Sequence, residues 1–470
     1  MLQKEDFRVK VGFVPSHRSI FDENWAINMR KRCIDVFSSI EGLELIVPDE
    51  NITKKGLVSD EDDADKTIQL FRDNNVDGVI IGTMTFGDEV PALKVASAFA
   101  GKPILLFGTK EGPFTLEGKR LSDSFCGTLS ISSGLHRRKI PFLFAGIIFP
   151  EEEEFKESVE NFVRVCAICK GFIGARIGQV GPRPRPFETC IFNETALIEH
   201  FKQTVIPVPL SEIFDAANSL SNEDPKVQEV LREIELQADA SQIGREVLIK
   251  LAKLEVALSR FAEENKVSAM GVQCWTAMQD IYGTSSCLPM ARLTDRGIMS
   301  SCEVDIYGAL TMLIQYLASL KKTPPHFIDW TIQHQEKENV FLAWHCGNAP
   351  PSLACEGCPR VVRGHFVMEN TKPGRAFGTI EFQLKPGVVT ICRLVEYDGE
   401  FKMLITKGEI KYSLDNLRGS WSWVEVPNLK FLYRVLVEEG FIHHASMIHG
   451  DYTKAIMDAC KFLGIEAVVV

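Results

Sequence analysis

Short apolar runs alternate with amphipathic helical patterns through the first third of the chain. Residues 9–15 read as a strand, 23–39 as a helix, 43–47 as a strand and 64–74 as a helix; 76–82, a helix from Val90 and 103–107 continue the series. Strands separated by helices predict a parallel sheet with crossover helices. Ligands bind beyond the carboxyl ends of such strands, so Gly82-Thr83-Met84-Thr85-Phe86-Gly87-Asp88-Glu89 is a natural site loop. Its glycines let backbone approach a ligand and its acids can accept hydroxyl hydrogen bonds. The alternative is that Gly87 makes a turn while Asp88 and Glu89 open the next helix, where acids suit the N-terminal dipole. The acids from Glu151 to Glu154, following Pro150, read as a solvated helix start.

A second unit starts near Ala175. There Ile177-Gly178-Gln179-Val180-Gly181 runs into Pro182-Arg183-Pro184-Arg185-Pro186, which reads as a rigid loop; the spacing is not GxGxxG, so no nucleotide cofactor is expected. A long helix over 242–264, a strand over 267–273 and a helix from Glu303 to about Leu320 follow. Beyond Thr323-Pro324-Pro325 the pattern turns to strands, at 340–344, 378–384, 388–396, 401–407 and 421–426, before helices at 428–439 and 452–462 and a last strand at 467–470. The expected fold is α/β: two Rossmann-like parallel-sheet domains, 1–174 and 175–322, then a β-rich domain, 323–470.

The length, 470 residues, fits this division, because single cores stop growing well before it. A net charge of −11 and a pI of about 5.5 argue against nucleic acid and anionic membranes as partners. The N-terminal MLQKEDFRVKVGF lacks the apolar stretch of a signal peptide and no later segment reads as a membrane helix, so a cytoplasmic location is expected. Thirteen cysteines, several in apolar segments such as Cys166 and Cys169, predict reduced, buried thiols and no structural disulfide.

Candidate chemistry concentrates in the second half. Ser301-Cys302-Glu303-Val304-Asp305 lies where an apolar segment meets a helix start, and its acids could simply cap that helix. Asp329 sits inside the apolar run His326-Phe327-Ile328-Asp329-Trp330, where an unpaired carboxylate would cost several kcal/mol to bury, so it needs a partner such as a cation. His345 is similarly placed in Trp344-His345-Cys346-Gly347-Asn348, and His443-His444 precedes His449 near the end. Each histidine could be a hydrogen-bonded core residue; two carboxylates with imidazole would together suit Mn²⁺, Mg²⁺ or Co²⁺. Cys355-Glu356-Gly357-Cys358 after Cys346 could begin a zinc site, but no second ligand pair lies nearby, and a turn with free thiols is the preferred reading.

In these ordered segments the chain resembles the L-fucose/L-arabinose isomerase family. The resemblance implies metal-dependent aldose–ketose isomerisation of a monosaccharide through a cis-enediol, with Mn²⁺ as the expected ion. Glu303 and Asp329 match the segments holding the two acidic ligands, and would share the proton work; His443-His444 matches a histidine pair whose second member binds metal, which points to His444. Trp344-His345-Cys346-Gly347 matches a region with another histidine, making His345 a fourth ligand or a substrate contact beside Asn348 and His443. Gly271-Val272-Gln273-Cys274-Trp275 matches a substrate-contacting segment, implicating Gln273 and Trp275. Thr85-Phe86-Gly87-Asp88-Glu89 matches a loop that reaches a neighbouring subunit's site, so Phe86 is a substrate contact and a homo-oligomer with sites near its interfaces is expected. Met84 stands where the fucose isomerases have a stacking tryptophan, which leaves the sugar open. Arg18, Arg183 and Arg185 leave room for an anionic sugar, a sulfonate included, or are simply exposed. Rival functions are a silent sugar-binding protein, a metal-dependent epimerase or dehydratase, and a zinc protein centred on Cys346, Cys355 and Cys358.

Overall fold

The computed structural model describes residues 7–470, which divide into two compact units: residues 7–170 with 461–463, and 171–460 with 464–470. In the first unit five strands, β1 (Val9–Ser16), β2 (Leu43–Ile46), β3 (Gly78–Thr83), β4 (Ile104–Thr109) and β5 (Leu143–Ile148), form a parallel sheet in the order β2-β1-β3-β4-β5. β3 and β4 are buried along their whole length, as expected when helices cover both faces of a parallel sheet. Their Val79, Ile81, Ile104 and Leu106 pack with Ile68, Phe71, Val95 and Ile131 from the covering helices. Full burial of side chains of this size is worth about 1.5–3 kcal/mol each.

The second unit carries two sheets. The first is parallel: β6 (Arg176–Val180), β7 (Thr204–Val208), β8 (Ala269–Val272) and β9 (Met299–Ser301), in the order β7-β6-β8-β9. Residues 176–180 therefore belong to a strand, correcting the loop expected across 177–181. The glycines hid it: Gly178 is flat against the Phe261 side chain, where a Cβ would come within 2.8 Å, while Ile177 and Val180 are buried as strand residues should be. The loop proper begins at Gly181, whose φ is +80°.

The other sheet is built from β10 (His326–Gln333), β11 (Val340–His345), β12 (Val361–Gly364), β13 (Phe377–Gln383), β14 (Gly387–Tyr397), β15 (Glu400–Lys411), β16 (Ser420–Glu425), β17 (His444–His449) and β18 (Glu466–Val469). Its order is β12-β13-β16-β11-β10-β17-β14-β15-β18, and a further β15–β16 pairing closes β16-β11-β10-β17-β14-β15 into a six-stranded barrel. Ile328, Phe341, Ile391, Leu404, Val424 and Met447 contribute to its core. The fold class is α/β with two parallel sheets followed by a β-rich region, as the alternation of patterns predicts.

One helix, Ile306–Ala318, joins the two sheets of this unit. All thirteen of its residues are buried, and it packs on β8 and β9 and on β14 and β17. An all-round apolar helix belongs in such a position. Its Gln315 is fully paired: Nε2 donates to the carbonyls of Thr390 and Ser446 at 3.1 and 2.9 Å, and Oε1 accepts from Ser446 Oγ at 2.6 Å. The C-terminal end of the helix is thereby fixed against the barrel wall.

Cys166 and Cys169 are free and buried, as expected. Cys355 and Cys358, in contrast, are joined as a disulfide, which corrects the expectation of free thiols. The turn that links them, with Cys358 N–H donating to Cys355 O at 3.1 Å and Cα atoms 5.3 Å apart, brings the two sulfurs together. Among the described residues no helix is long and apolar enough to cross a membrane.

Candidate active site

β8 and β9 are neighbours in a parallel sheet, and the loops after both supply the site, as ligand sites on such sheets generally lie. After β9 the chain makes an unusual turn: Glu303 and Val304 both have left-handed backbone, with φ of 55° and 58°. Left-handed geometry costs an L-residue about 1–2 kcal/mol and is rarest for β-branched side chains, so the turn must be held from outside. Val304 N–H donates to Val272 O at 3.3 Å, Asp305 N–H to Cys302 O at 3.0 Å, and Ser301 Oγ to Asp305 O at 2.7 Å. Gly271 makes room for it, since a Cβ there would sit 2.8 Å from the Val304 backbone.

This turn separates two acids that look equivalent in the sequence. Asp305 caps the helix, accepting from Gly308 N–H at 2.8 Å. Its carboxylate also pairs with the buried Arg393 guanidinium, with Nη2 3.0 Å from Oδ1, and Oδ2 lies 2.8 Å from His444 Nδ1. Burial alone would raise its pKa, but Arg393 and then His444 outweigh burial and hold it well below the usual carboxylate range. Glu303, by contrast, turns inward. Its Oε1 accepts from Trp275 Nε1 at 3.0 Å, and Cys274 Sγ lies 3.4 Å away, while its buried Oε2 has no hydrogen-bond partner. Burial, then the neighbouring Cys274 and Asp329, raise its pKa well above the ordinary value.

The barrel supplies the remaining donors. Asp329 in β10 pairs in register with His444 in β17, so their side chains share a face. Asp329 Oδ1 is buried without a partner, and burial raises its pKa to about 6. His444 Nε2 stands 3.5 Å from Glu303 Oε2 and 3.7 Å from Asp329 Oδ1. The Asp305 carboxylate at Nδ1 accepts that nitrogen's proton in a hydrogen bond and leaves Nε2 turned towards both unpaired oxygens. Glu303 Oε2, Asp329 Oδ1 and His444 Nε2 thus face one another with no hydrogen bond among them, an arrangement that calls for a proton or a cation between them. His345 completes the set: one donor atom from each of Glu303, His345 and His444 lies within 4.8 Å of the others, and all three are buried. Burial, and then the nearby His444, keeps His345 uncharged well below its ordinary pKa. The donor set fits a hard divalent cation.

Aromatic rings wall the site. Phe187 lies 5.9 Å from Trp275, 6.4 Å from His443 and 6.5 Å from His444, centroid to centroid. His443 is exposed at the edge, its ring 4.0 Å from that of His444; burial of its inner side, then His444, lowers it to about 4. Asn348 donates from Nδ2 to Cys302 Sγ at 3.4 Å. Gln273 is partly buried and its backbone N–H donates to Val180 O at 2.9 Å. His449 turns away, with Nε2 2.9 Å from Lys385 O.

The structure thus gathers Glu303, Asp329, His345, His444, Trp275 and His443. Arg18 and Phe86 belong to the other unit, where Arg18 pairs with Asp88 and Glu89 and stacks 4.1 Å above the Phe86 ring. Asp88 caps the helix Glu89–Ala98 and Gly87, at φ +74°, makes the turn, so that loop follows the helix-opening alternative. Sequence reading passed over Asp305 as an orienting group, Phe187, and Arg393. An arginine inside the apolar strand segment from Ile391 to Val395 was the available signal, because a buried guanidinium demands an anion.

A strained turn, a pair of unpaired carboxylates and an oriented imidazole, set between a parallel sheet and a closed barrel, define a protein built around a buried centre of hard donors. Two family models match the chain: "Fucose/sulfoquinovose isomerase, N-terminal domain" over residues 12–173 and "L-fucose isomerase, C-terminal domain" over 343–470. The sulfoquinovose isomerase of Priestia megaterium is 24% identical over 467 residues, 98% of each chain. That of Alkalicoccus urumqiensis is 26% identical over 421 residues, 88% of this chain and 90% of its own, and that of Clostridium sp. (strain MSTE9) is 27% identical over 406, 83% and 86%. The chain belongs to the L-fucose isomerase-like family.

Proposed function

We propose that this protein is an aldose–ketose isomerase that works with a divalent cation of the Mn²⁺, Mg²⁺ or Co²⁺ class, Mn²⁺ first among them. One observation carries the reading: the buried, unpartnered Glu303 Oε2 and Asp329 Oδ1 face an imidazole nitrogen, His444 Nε2, on a ring that Asp305 orients. A cation held by Glu303, Asp329 and His444, with His345 as a fourth donor, would supply Lewis-acid stabilisation of charge on adjacent sugar oxygens. The chain's own carboxylates divide the proton work. One takes the proton from the carbon beside the carbonyl and returns it to the neighbouring carbon, while the other carries the hydroxyl proton between the two oxygens. Trp275 fixes Glu303 through Oε1 and leaves Oε2 for this task. Phe187, Trp275 and His443 offer flat, partly apolar surface for the sugar ring.

The substrate we propose is a sugar bearing an anionic group, in keeping with the names of the relatives. Arg18 is already held by two carboxylates; Arg183, half-buried on the loop that leads to Phe187 and bonded only to its neighbour's carbonyl at 3.5 Å, is the better partner for a sulfonate. The working form is proposed to be a homo-oligomer. NMR of metal-free protein with sulfoquinovose, L-fucose and other aldoses and ketoses in D₂O, with and without Mn²⁺ and with the ion removed before recording, tests the reading. Metal-dependent conversion with deuterium entering beside the carbonyl is expected. No exchange across neutral, deoxy and anionic sugars would point to a sugar-binding protein instead.

A further inference from the structure

Four free cysteines converge beside the carboxylate centre, each brought by a different part of the second unit. Cys274 follows β8, Cys287 opens the helix Cys287–Asp295, Cys302 follows β9 and Cys346 follows β11. None is more than 5% exposed. The thiols of Cys287 and Cys346 are 3.6 Å apart, and Cys302 is within hydrogen-bonding reach of Cys274, Cys287 and Cys346. His365, just beyond β12, presents a ring nitrogen within 4.8 Å of the sulfurs of Cys287 and Cys346. That imidazole is 2% exposed, and its Nδ1 has no hydrogen-bond partner.

Buried thiols alone are ordinary packing, since a free cysteine behaves as a small apolar residue. Three sulfurs in contact, two of them within 4.8 Å of a buried imidazole whose Nδ1 lacks a partner, are different, because that is the donor set of a closed structural zinc site. The spacing agrees: two thiolates on a tetrahedral zinc, each at about 2.3 Å, stand about 3.8 Å apart. Cys355 and Cys358 take no part, being bonded to each other.

We propose that Cys287, Cys302, Cys346 and His365 form a Cys₃His site for a thiophilic divalent cation, zinc foremost, adjoining the oxygen-rich centre of Glu303, Asp329 and His444, with His345 Nδ1 3.1 Å from Cys346 Sγ at the boundary. Soft sulfur donors and hard carboxylates select different ions, so the two adjoining centres differ in the ion they prefer. Binding expels the three thiol protons to solvent and leaves three thiolates and a neutral imidazole around the ion. The site fastens the bases of two active-site segments at once, for Cys302 immediately precedes Glu303 and Cys346 immediately follows His345. It is closed to solvent and would fill as the chain folds.

The test is spectroscopic and does not depend on the isomerase reading. Full-length protein expressed in cobalt-supplemented, zinc-depleted medium should show an intense thiolate-to-cobalt charge-transfer band in the near ultraviolet; an oxygen-rich centre gives none. The band should persist in the Cys355→Ser/Cys358→Ser variant and fall to less than a tenth in Cys287→Ser, and its visible d–d envelope should shift in His365→Asn. Native mass spectrometry of unaltered protein, which requires no variant to fold, should find a tightly held zinc that keeps Cys287, Cys302 and Cys346 from alkylation until it is stripped. Absence of the band, a band indifferent to Cys287→Ser, or a Cys287–Cys346 disulfide in metal-free protein purified without reductant would each overturn the proposal.

Discussion

Two loops at the carboxyl ends of parallel strands look equally promising for chemistry, yet they differ in how their charges are settled. In the first unit, Arg18, Asp88 and Glu89 answer one another, Phe86 lies under the guanidinium, Asp88 caps a helix and His17 Nδ1 lies 2.9 Å from Thr85 Oγ1. The charges there are matched, and even Arg18 Nε, which makes no hydrogen bond, lies 3.4 Å from Asp88 Oδ2. In the second unit, the turn at Glu303 and Val304 is strained, two carboxylate oxygens are buried without donors, and the Nε2 of His444 faces both of them. The richer charge pattern marks the quieter loop. What distinguishes a site of chemistry is unmet demand: groups that the fold has buried, at a cost of several kcal/mol, without satisfying them.

The largest expected effect follows directly. Glu303→Gln keeps the hydrogen bond from Trp275 and the side-chain volume but removes the charge, and should lower isomerisation by about 10²–10⁴-fold with the fold intact by circular dichroism. Full activity in that variant would remove Glu303 from both metal binding and proton transfer. His444→Ala should be nearly as damaging and His443→Ala much less so, since only His444 faces the carboxylates; the reverse order would reassign the ligand.

Next in size is the group that aims the imidazole. Asp305→Asn can still cap the helix, but it loses the charge that holds the proton on His444 Nδ1 and balances Arg393. Orienting carboxylates of this kind typically matter by about 10–100-fold in metal affinity, so Mn²⁺ titration by calorimetry should show a loss of that order. Leaving Arg393 buried without its anion should also lower stability by up to about 3–5 kcal/mol. Unchanged Mn²⁺ affinity would mean that Asp305 serves the helix and Arg393 alone.

The sequence makes the fold class and the acids visible but hides their division of labour. The strands and helices of the first unit as far as residue 107 follow from strict periodicity, though the helix Ser124–Arg137 and β5 escape that reading, and the β-rich region follows from its turn spacing. β6 was obscured because two glycines and the prolines after them mimic a loop; only packing on Phe261 shows why glycine is tolerated in that strand. Glu303 and Asp305 sit two positions apart at one helix start, and nothing local tells the cap from the inward-facing acid. Two successive left-handed residues decide it, and those depend on Gly271, about thirty residues upstream. The thiol cluster was illegible for a related reason: single cysteines at four separate places carry no spacing signal, whereas the CxxC that does carry one bonds to itself.

The same contrast predicts acid sensitivity in the second unit. His326, wholly buried in β10, is pushed from 6.5 down to about 3, first by burial and then by His449. The unfolded chain takes up that proton near 6.5 and the folded chain only near 3, so within this window the unfolded state binds more protons. Stability from this residue is therefore complete above pH 6.5 and is lost as pH falls towards 3, at roughly 1.4 kcal/mol per pH unit. Denaturant midpoints measured from pH 7 to pH 4.5 should fall less steeply in His326→Gln than in the unaltered protein; equal slopes would locate the acid sensitivity elsewhere.

The smallest effect is expected at Arg18, and it bears most directly on the comparison. Its ion pairs with Asp88 and Glu89 are partly exposed, with about a quarter of the arginine side chain open to solvent, and pairs of this kind contribute about 0–1 kcal/mol. Arg18→Ala should therefore shift the melting temperature by only a few degrees and leave kcat/KM within about threefold, whereas Arg183→Ala should raise KM for a sulfonated sugar selectively over a neutral one. If Arg18→Ala instead lowers kcat/KM by a hundredfold without unfolding, the loop that looks settled within one chain must serve the site of a second copy. Mixing Arg18→Ala with Glu303→Gln would then restore activity, because some sites in mixed oligomers would receive an intact loop from one chain and an intact carboxylate from the other.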